Sequence, residues 1–390
     1  MLVGLARLTH PTHFPLYHYP QNKDKEARHR GYADFFPLDK LPIEIISMKE
    51  FLQREAGKLF QLPSSPTERE TLELAAEACD KRAKAQGPCT AVANFLDQIG
   101  YNPGWSATHT CVVFDEEAFT TGTPSAAAQQ IVQEYCGDKR TPAFWNQTVA
   151  SQDILHFPAG SKDYRLLNHF YGMIYFSDPV HSHYFKRFVR DYLHYHDAIY
   201  CAAGKVVQAV QLEGKSRGFT VDDEGAGGYS AMHIRRGDLQ YKRVKISAKE
   251  WYQNTNEIWL DKEILYIATD ERNKTFFDDL AIHYELRFLD DYWEVAGLGN
   301  VDPNYMGMID TIVASRGRAF AGTFFSTFTG YINRLRGYHG MSMKDSWYSF
   351  LPKKEHMHEW TTIDHVAYAF EWPDGWIGID ADVWPSRDTF

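Results

Sequence analysis

The stretch SAMHIRRGDLQY, Ser230–Tyr241, runs from an apolar segment into two arginines, Arg235 and Arg236. The apolar residues predict a short buried strand, with the arginines at its carboxyl end. The tripeptide Arg236-Gly237-Asp238 can be read as an adhesive loop tip or as part of a site for a negatively charged ligand. An adhesive tripeptide needs a projecting loop, whereas this one directly follows a buried strand. The sequence therefore favours the anion site.

Strands and helices alternate strictly after this point. The predicted strands cover Tyr229–Ile234, Ile264–Thr269, Glu285–Asp290 and Arg318–Gly322. The predicted helices cover Ser247–Leu260, Asn273–Tyr284, Met306–Ser315 and Thr327–Arg336. Alternation of this kind indicates parallel strands joined by crossover helices, which is a doubly wound α/β domain.

The clearest predictions in the first half of the chain are three helices. One helix is predicted from Pro66 to Lys84 and two consecutive helices from Val180 to Val210. Aromatic residues at helical spacing in the second region predict a buried face formed by Tyr184, Phe185, Phe188, Tyr192 and Tyr195.

A glycine-rich stretch, LEGKSRGFTVDDEGAGG, begins after Gln211 and predicts a surface linker. We place the domain boundary there. The sequence thus predicts a first domain over residues 1–214, a second over 228–345 and a C-terminal extension over 346–390.

Composition excludes several classes of function. The net charge of −10 over 390 residues repels polyanions, so nucleic acid is not an expected partner. No apolar run reaches the ~18–20 residues that cross a bilayer, and the first ten residues lack the layout of a secretion signal. The five cysteines form no CxxC pair, which argues against a zinc site and leaves disulfides open.

Two further patterns suggest a metal site but do not support one. His181 and His183, like His194 and His196, are two residues apart, so on a helix their side chains point about 200° apart. Asp380-Ala381-Asp382 resembles a metal-binding DxD pair, yet no strand–helix unit follows it. We predict no metal site.

Polar and charged residues follow several predicted strands directly. In parallel sheets ligands bind beyond the carboxyl ends of the strands. Arg235–Asp238, Thr269–Glu271 and Gly322–Thr327 occupy these positions. The segment GTFFST also leads into a helix N-terminus, where free backbone N–H groups can bind phosphate. Together they predict an anion site.

The motifs HIRRGD, YIATDE and GTFFSTFTGYI, with the helical stretch HYFKRFVRDYLHYHDAIYCAAGKVV, resemble the protein O-fucosyltransferase superfamily from about residue 30 to 345. Its relatives include core α1,6-fucosyltransferases and bacterial nodulation fucosyltransferases. The resemblance implies a GT-B enzyme, with two Rossmann-like domains facing a cleft. Such an enzyme transfers fucose from GDP-fucose to a protein or glycan acceptor with inversion, without metal or cofactor, in the ER or Golgi lumen.

The resemblance also implies roles for individual residues. Arg235 would contact the β-phosphate of the donor, flanked by His233 and Arg236. Asp310 would read the guanine, and the phosphate and base contacts would come from Ser326, Thr327 and Phe328. Asp238 would either accept the acceptor's proton or orient the arginines.

Two other functions stay open. Family members usually carry a Gly-Gly-Phe/Trp-Asn-Asn loop that has no counterpart in this sequence, so a degenerate relative that binds without turnover is an alternative. An unrelated nucleotide-binding protein would need a G-x-G-x-x-G signature, and Gly297-Leu298-Gly299 lacks the third glycine.

Overall fold

A computed structural model describes residues 34–54, 65–81, 86–105, 110–136, 140–156, 174–223, 225–237, 245–323, 326–339, 341 and 346–348. These residues form two compact units, one ending at His194 and the other beginning at Tyr195. Each unit contains helices and its own parallel sheet, so the predicted α/β class is confirmed. Within the described residues no helix has both the length and the apolar character needed to cross a membrane.

The first unit contains a three-stranded parallel sheet. Strand β1 (Thr110–Phe114) lies between β2 (Thr141–Phe144) and β3 (Ile174–Phe176). The helices of this unit are α1 (Met48–Arg54), α2 (Pro66–Lys81), α3 (Gln86–Ile99), α4 (Glu116–Thr121), α5 (Ala126–Ile131), which continues as a π-helical turn over Val132–Cys136, α6 (Gln147–Ala150) and α7 (Pro179–Tyr192). A 3₁₀ turn covers Leu38–Lys40.

Two links fix the central strand of this sheet. Cys111 of β1 forms a disulfide with Cys136 at the end of the π-helical turn, and both residues are buried. Asp115, directly after β1, caps α4 and accepts hydrogen bonds from Ser125 and Ser177. Burial opposes ionisation of Asp115, but these hydrogen bonds outweigh it and hold its pKa below the usual value.

The second unit contains a five-stranded parallel sheet in the order β6-β5-β4-β7-β8. Its elements in chain order are α8 (Asp197–Ser216), β4 (Ser230–Ile234), α9 (Ala248–Thr255), β5 (Ile264–Thr269), α10 (Asp278–Ala281), β6 (Glu285–Arg287), α11 (Met306–Ser315), β7 (Phe320–Gly322), α12 (Thr327–Tyr338) and β8 (Ser346–Tyr348). Single 3₁₀ turns cover Lys274–Phe277, Leu289–Tyr292, Leu298–Asn300 and Pro303–Tyr305.

Helices cover both faces of this sheet. Side chains alternate between the two faces along a strand, so Met232 and Ile234 of β4 pack with Trp251 of α9 and Leu280 of α10. On the other face, the Tyr229 hydroxyl donates to the Val313 carbonyl of α11 at 2.6 Å. Both faces of β4 are therefore buried, as is typical of a parallel sheet covered by helices on both sides.

Helix α8 belongs to the second unit, so the units divide earlier in the chain than composition indicates. Its last turn packs tightly: a methyl group added at Gly214 would lie 1.8 Å from the Gly228 carbonyl oxygen. Glu213 accepts a hydrogen bond from Arg287 Nε at 3.0 Å. The prediction of a linker is therefore wrong for Leu212–Ser216, which are helical. Gly214 permits close packing there rather than flexibility.

The predicted aromatic face of α7 is mostly not buried. Tyr184 is 64% exposed, Phe185 43% and Tyr192 36%, so the prediction is wrong for these residues, whereas Tyr195 is 4% exposed. Helix α7 packs beside β3, an edge strand of a narrow sheet, where the ring of Phe185 contacts that of Phe176. Aromatic residues at helical spacing are buried only where another element packs on that face of the helix.

Gly322 provides a test of packing at the end of β7. A methyl group there would lie 2.3 Å from Thr329 Cγ2 and 2.9 Å from Phe320 Cζ. We expect Gly322→Ala to lower the free energy of unfolding by about 1–3 kcal/mol, as overpacking does. Gly204→Ala on α8, where the added methyl meets nothing within 4 Å, should instead raise it by about 0.5–1 kcal/mol. Urea unfolding measures both, and equal effects would contradict the packing described.

Candidate functional site

The carboxyl ends of β4, β5 and β7 lie side by side. His233 pairs with Ala268 of β5 and with Gly322 of β7. Ile234 pairs with Thr269. The residues that follow these positions, Arg235 among them, therefore share one edge of the sheet, where ligands bind in folds of this kind.

Thr323 joins the Arg235 loop to the start of α12. Its Oγ1 accepts a hydrogen bond from the Arg235 N–H at 2.9 Å and donates to the His233 carbonyl at 3.1 Å. Its own carbonyl accepts from the Ser326 N–H at 3.3 Å. One residue thus holds the arginine loop and the helix N-terminus together.

Ser326 lies at the N-cap position of α12 and is 1% exposed. Its hydroxyl has no hydrogen-bond partner among the described residues and does not cap the helix. The first backbone N–H groups of a helix have no partner within the helix, and the helix dipole favours negative charge there. A buried hydroxyl beside such a helix end is suited to bind an anion.

His233 positions an aromatic ring at the same edge. Its Nδ1 lies 2.7 Å from Thr329 Oγ1, and its ring stacks on that of Phe328 with centroids 4.5 Å apart. Phe328 is half-buried and lies close to Gly307 at the start of α11. The structure therefore brings His233, Phe328 and the start of α11 together.

Asp310 lies deeper in the unit than the strand ends. It is buried on α11 and accepts a hydrogen bond from the Tyr266 hydroxyl at 2.5 Å. Tyr266 pairs with Ala231, two residues before His233 in β4. Asp310 thus contacts the same face of the sheet as His233, at a strand position two residues before the edge.

The two neighbouring arginines differ in their surroundings. Arg236 Nε donates to Glu271 Oε2 at 2.8 Å, and its guanidinium lies 3.9 Å from the centre of the Phe276 ring. Its NH1 also donates to the Ile246 carbonyl. These contacts turn the Arg236 side chain toward the face of the sheet covered by α9 and give it a structural role. Its predicted part in the donor pocket stays a prediction.

Some of the predicted site residues lie outside the described part of the chain. Asp238 and Asp380-Ala381-Asp382 lie outside the described residues, and of Thr327 only the backbone, which begins α12, is described. Within the part of the chain that is described, no three or more His, Cys, Asp or Glu side chains are grouped to hold a metal ion.

Two contacting residues were not predicted: Thr329 and Tyr266. Thr323 was predicted at this edge as part of Gly322–Thr327, but its role as a bridge between the Arg235 loop and α12 was not. Thr329 and Tyr266 contribute through contacts across the sheet or between helix and sheet, for which the sequence carries no local signal.

The ion pair of Glu271 with Arg236 predicts a pH dependence of stability. Burial opposes ionisation of Glu271, but hydrogen bonds from the Asn273 N–H and from Arg236 outweigh it and lower its pKa. Because the pKa of Glu271 is lowered in the folded protein, the ionised carboxylate stabilises the fold at pH values above its usual pKa near 4.3. This stabilisation is lost as the pH falls through the lowered pKa. We expect Glu271→Gln to cost about 1 kcal/mol at pH 7 and much less at pH 3, by urea unfolding.

The exposed Glu294 offers a control for this measurement. Glu294→Gln should change stability little at either pH. A cost of Glu271→Gln that is as large at pH 3 as at pH 7 would contradict the role of the ion pair.

Comparison with known proteins agrees with these features. A search of curated proteins finds no match. The family model O-FucT, described as GDP-fucose protein O-fucosyltransferase, matches residues 13–339, which include every strand of the candidate site and end just after α12. The chain belongs to the GDP-fucose protein O-fucosyltransferase family.

Proposed function

We propose that the protein is an inverting fucosyltransferase that transfers fucose from GDP-fucose to a hydroxyl group of a protein or glycan, with Arg235 stabilising the leaving diphosphate. Family membership implies the donor and the class of reaction. The observation that carries the residue assignment is the bridge made by Thr323. It holds the loop of Arg235 next to Ser326, whose hydroxyl is buried beside a helix N-terminus.

The chemistry requires a cation at the departing oxygen. The acceptor oxygen forms a bond to C1 of fucose as the bond from C1 to the β-phosphate oxygen breaks. The electron pair of the broken bond stays on GDP, so negative charge grows on the β-phosphate. A guanidinium can donate two parallel hydrogen bonds to phosphate oxygens, and a group fixed in advance stabilises the transition state most.

The start of α12 supplies neutral donors for the same diphosphate. Ser326 contributes a hydroxyl and Thr327 begins the helix whose N–H groups favour anions. Beside them, Phe328 offers a half-buried ring on which a guanine base can stack. We assign the recognition of the guanine edge to Asp310. This assignment requires the nucleotide to reach the Asp310 carboxylate beside Tyr266.

The acceptor proton needs a base. Asp238 follows the arginine pair and is one candidate for accepting that proton, and orienting the guanidinium groups is its alternative role. We favour orientation.

We propose the GT-B architecture for the whole chain, with a second Rossmann-like domain on the acceptor side. The three parallel strands of the first unit support this assignment. Metal independence is part of the same proposal.

We also propose that the protein acts in the ER or Golgi lumen, as is typical of the family. The disulfide between Cys111 and Cys136 supports this location, because disulfides persist in oxidising compartments and are rare in the cytosol.

Arg235 is the residue to test first. We expect Arg235→Ala to slow transfer by about 10²–10³-fold, because one preorganised partner of the developing charge is lost. Arg235→Lys should not restore the rate, since an ammonium group lacks the planar fork. GDP release from GDP-fucose with a panel of glycoprotein acceptors, and mass spectrometry of the products, measure the effect.

Arg217→Ala is a matched control, because Arg217 pairs with Glu213 and Glu285 on the surface of the same unit. Its rate should stay within about twofold of the unmutated chain. Near-normal turnover by Arg235→Ala would remove the central assignment. Calorimetric binding of GDP by the unmutated chain without any GDP release would favour the alternative, a relative that binds without turnover.

Removal of metal ions tests the proposed metal independence of the reaction. With EDTA present, the rate of GDP release is expected to stay unchanged, because Arg235 and the start of α12 neutralise the diphosphate. Loss of activity that added Mg²⁺ or Mn²⁺ restores would show that a metal ion takes part.

A further inference from the structure

Four backbone groups between Ile234 and Gly237 are bound by side chains at the ends of the two neighbouring strands. The Thr269 hydroxyl donates to the Ile234 carbonyl at 2.6 Å. The Arg235 N–H donates to Thr323 Oγ1 at 2.9 Å. The two carboxylate oxygens of Asp270 accept from the N–H groups of Arg236 at 2.6 Å and of Gly237 at 2.9 Å.

These contacts fix both peptide planes that flank Arg235. The plane before it contains the Ile234 carbonyl, held by Thr269, and the Arg235 N–H, held by Thr323. The plane after it contains the Arg236 N–H, held by Asp270. Peptide planes are rigid, so the orientations of two successive planes determine φ and ψ of the residue between them. The direction in which the Arg235 side chain leaves the backbone is therefore fixed from both sides.

The loop lies beyond the regular pairing of the sheet, which ends at Ile234 and Thr269. A loop at this position would otherwise be free to sample several conformations, and ordering it during the reaction would cost conformational entropy. Side-chain contacts that order the loop in advance remove that cost from the chemical step.

We propose that Asp270 and Thr323 are positioning residues that aim Arg235 at the β-phosphate of the donor. Thr323 acts from the end of β7 and Asp270 from the end of β5. The inference rests on the proposed function of Arg235, and it assigns to these two residues no contact with the donor.

Asp270→Asn is the most informative variant. Asparagine has nearly the same size, but its side chain has one oxygen and one NH₂ group, so it can accept only one of the two N–H groups and opposes the other. Asp222→Asn is a matched control, because Asp222 accepts the Ala226 N–H at 2.6 Å in the turn that enters β4 at the opposite edge.

The readout is the affinity of the full-length chain for GDP and for GMP, by calorimetry. Only GDP carries the β-phosphate that Arg235 is proposed to meet. We expect Asp270→Asn to weaken GDP binding by about tenfold, as for one lost charge-assisted hydrogen bond, and to change GMP binding by less than about twofold. Asp222→Asn should leave the ratio of the two affinities unchanged. Thr323→Val should behave like Asp270→Asn, and Thr323→Ser, which keeps the hydroxyl, like the unmutated chain.

Hydrogen exchange provides a second measurement that does not depend on any nucleotide. The Arg236 and Gly237 amides should exchange faster in Asp270→Asn than in the unmutated chain and in Asp222→Asn. Faster exchange with an unchanged ratio of GDP to GMP affinity would overturn the positioning role. Unchanged exchange would overturn it as well, whatever the affinities.

A failure of the proposed function is distinguished from a failure of the positioning role by nucleotide binding to the unmutated chain alone. If that chain binds neither GDP nor GMP, there is no donor phosphate for Arg235 to meet and both proposals fall. If it binds GDP more tightly than GMP, the proposed donor site stands, and the variants alone decide the positioning role.

Discussion

The candidate site depends on the parallel pairing of β4 with β5 on one side and β7 on the other. Because the strands are parallel, their carboxyl ends lie at one edge, and the residues that follow each strand become neighbours without being close in sequence. The Arg235 N–H is bound by Thr323, 88 positions along the chain, and the Arg236 N–H by Asp270, 34 positions along the chain. Both partners are farther away in sequence than any local turn could reach. The burial of β4 on both faces makes this register costly to change, since a shift would move its apolar side chains.

The two edges of the sheet use polar groups differently. At the amino edge, Glu263 is buried and its carboxylate accepts hydrogen bonds from Ser230 and, twice, from Arg318, so charge there holds strand ends together. At the carboxyl edge, the Ser326 hydroxyl is buried without a hydrogen-bond partner among the described residues. A buried polar group left without a partner costs stability, which is consistent with the anion-binding role that we propose for Ser326.

Glycine has two distinct roles in the second unit. Gly214 and Gly322 are positions where other atoms come too close for a side chain, the Gly228 carbonyl in the first case and Thr329 in the second. Gly225, Gly227 and Gly228 have positive φ angles in the turn that leads into β4. Composition alone groups the glycines of residues 212–228 as a flexible linker, although they belong to a packed helix end and a defined turn.

The sequence by itself determined the order of the main strands and helices in the second unit: β5 and α11 begin and end at the predicted residues. Among the described elements, β8 was not predicted, and the strand predicted over Glu285–Asp290 ends at Arg287 and is followed by a 3₁₀ turn over Leu289–Tyr292. The sequence also determined which residues follow the strands, because periodicity and turn residues are local signals. Only the tertiary structure showed that the side chains of Arg235 and Arg236 have different surroundings, because Arg236 contacts Glu271 and Phe276. Only the tertiary structure revealed Thr323 as the bridge to α12. It likewise decided that α7 exposes its aromatic face and that α8 joins the second unit. The spacing of residues along the chain indicates which side chains share one face of a helix or strand. The elements that pack on that face, and the residues that bind a given side chain, come from distant segments of the chain.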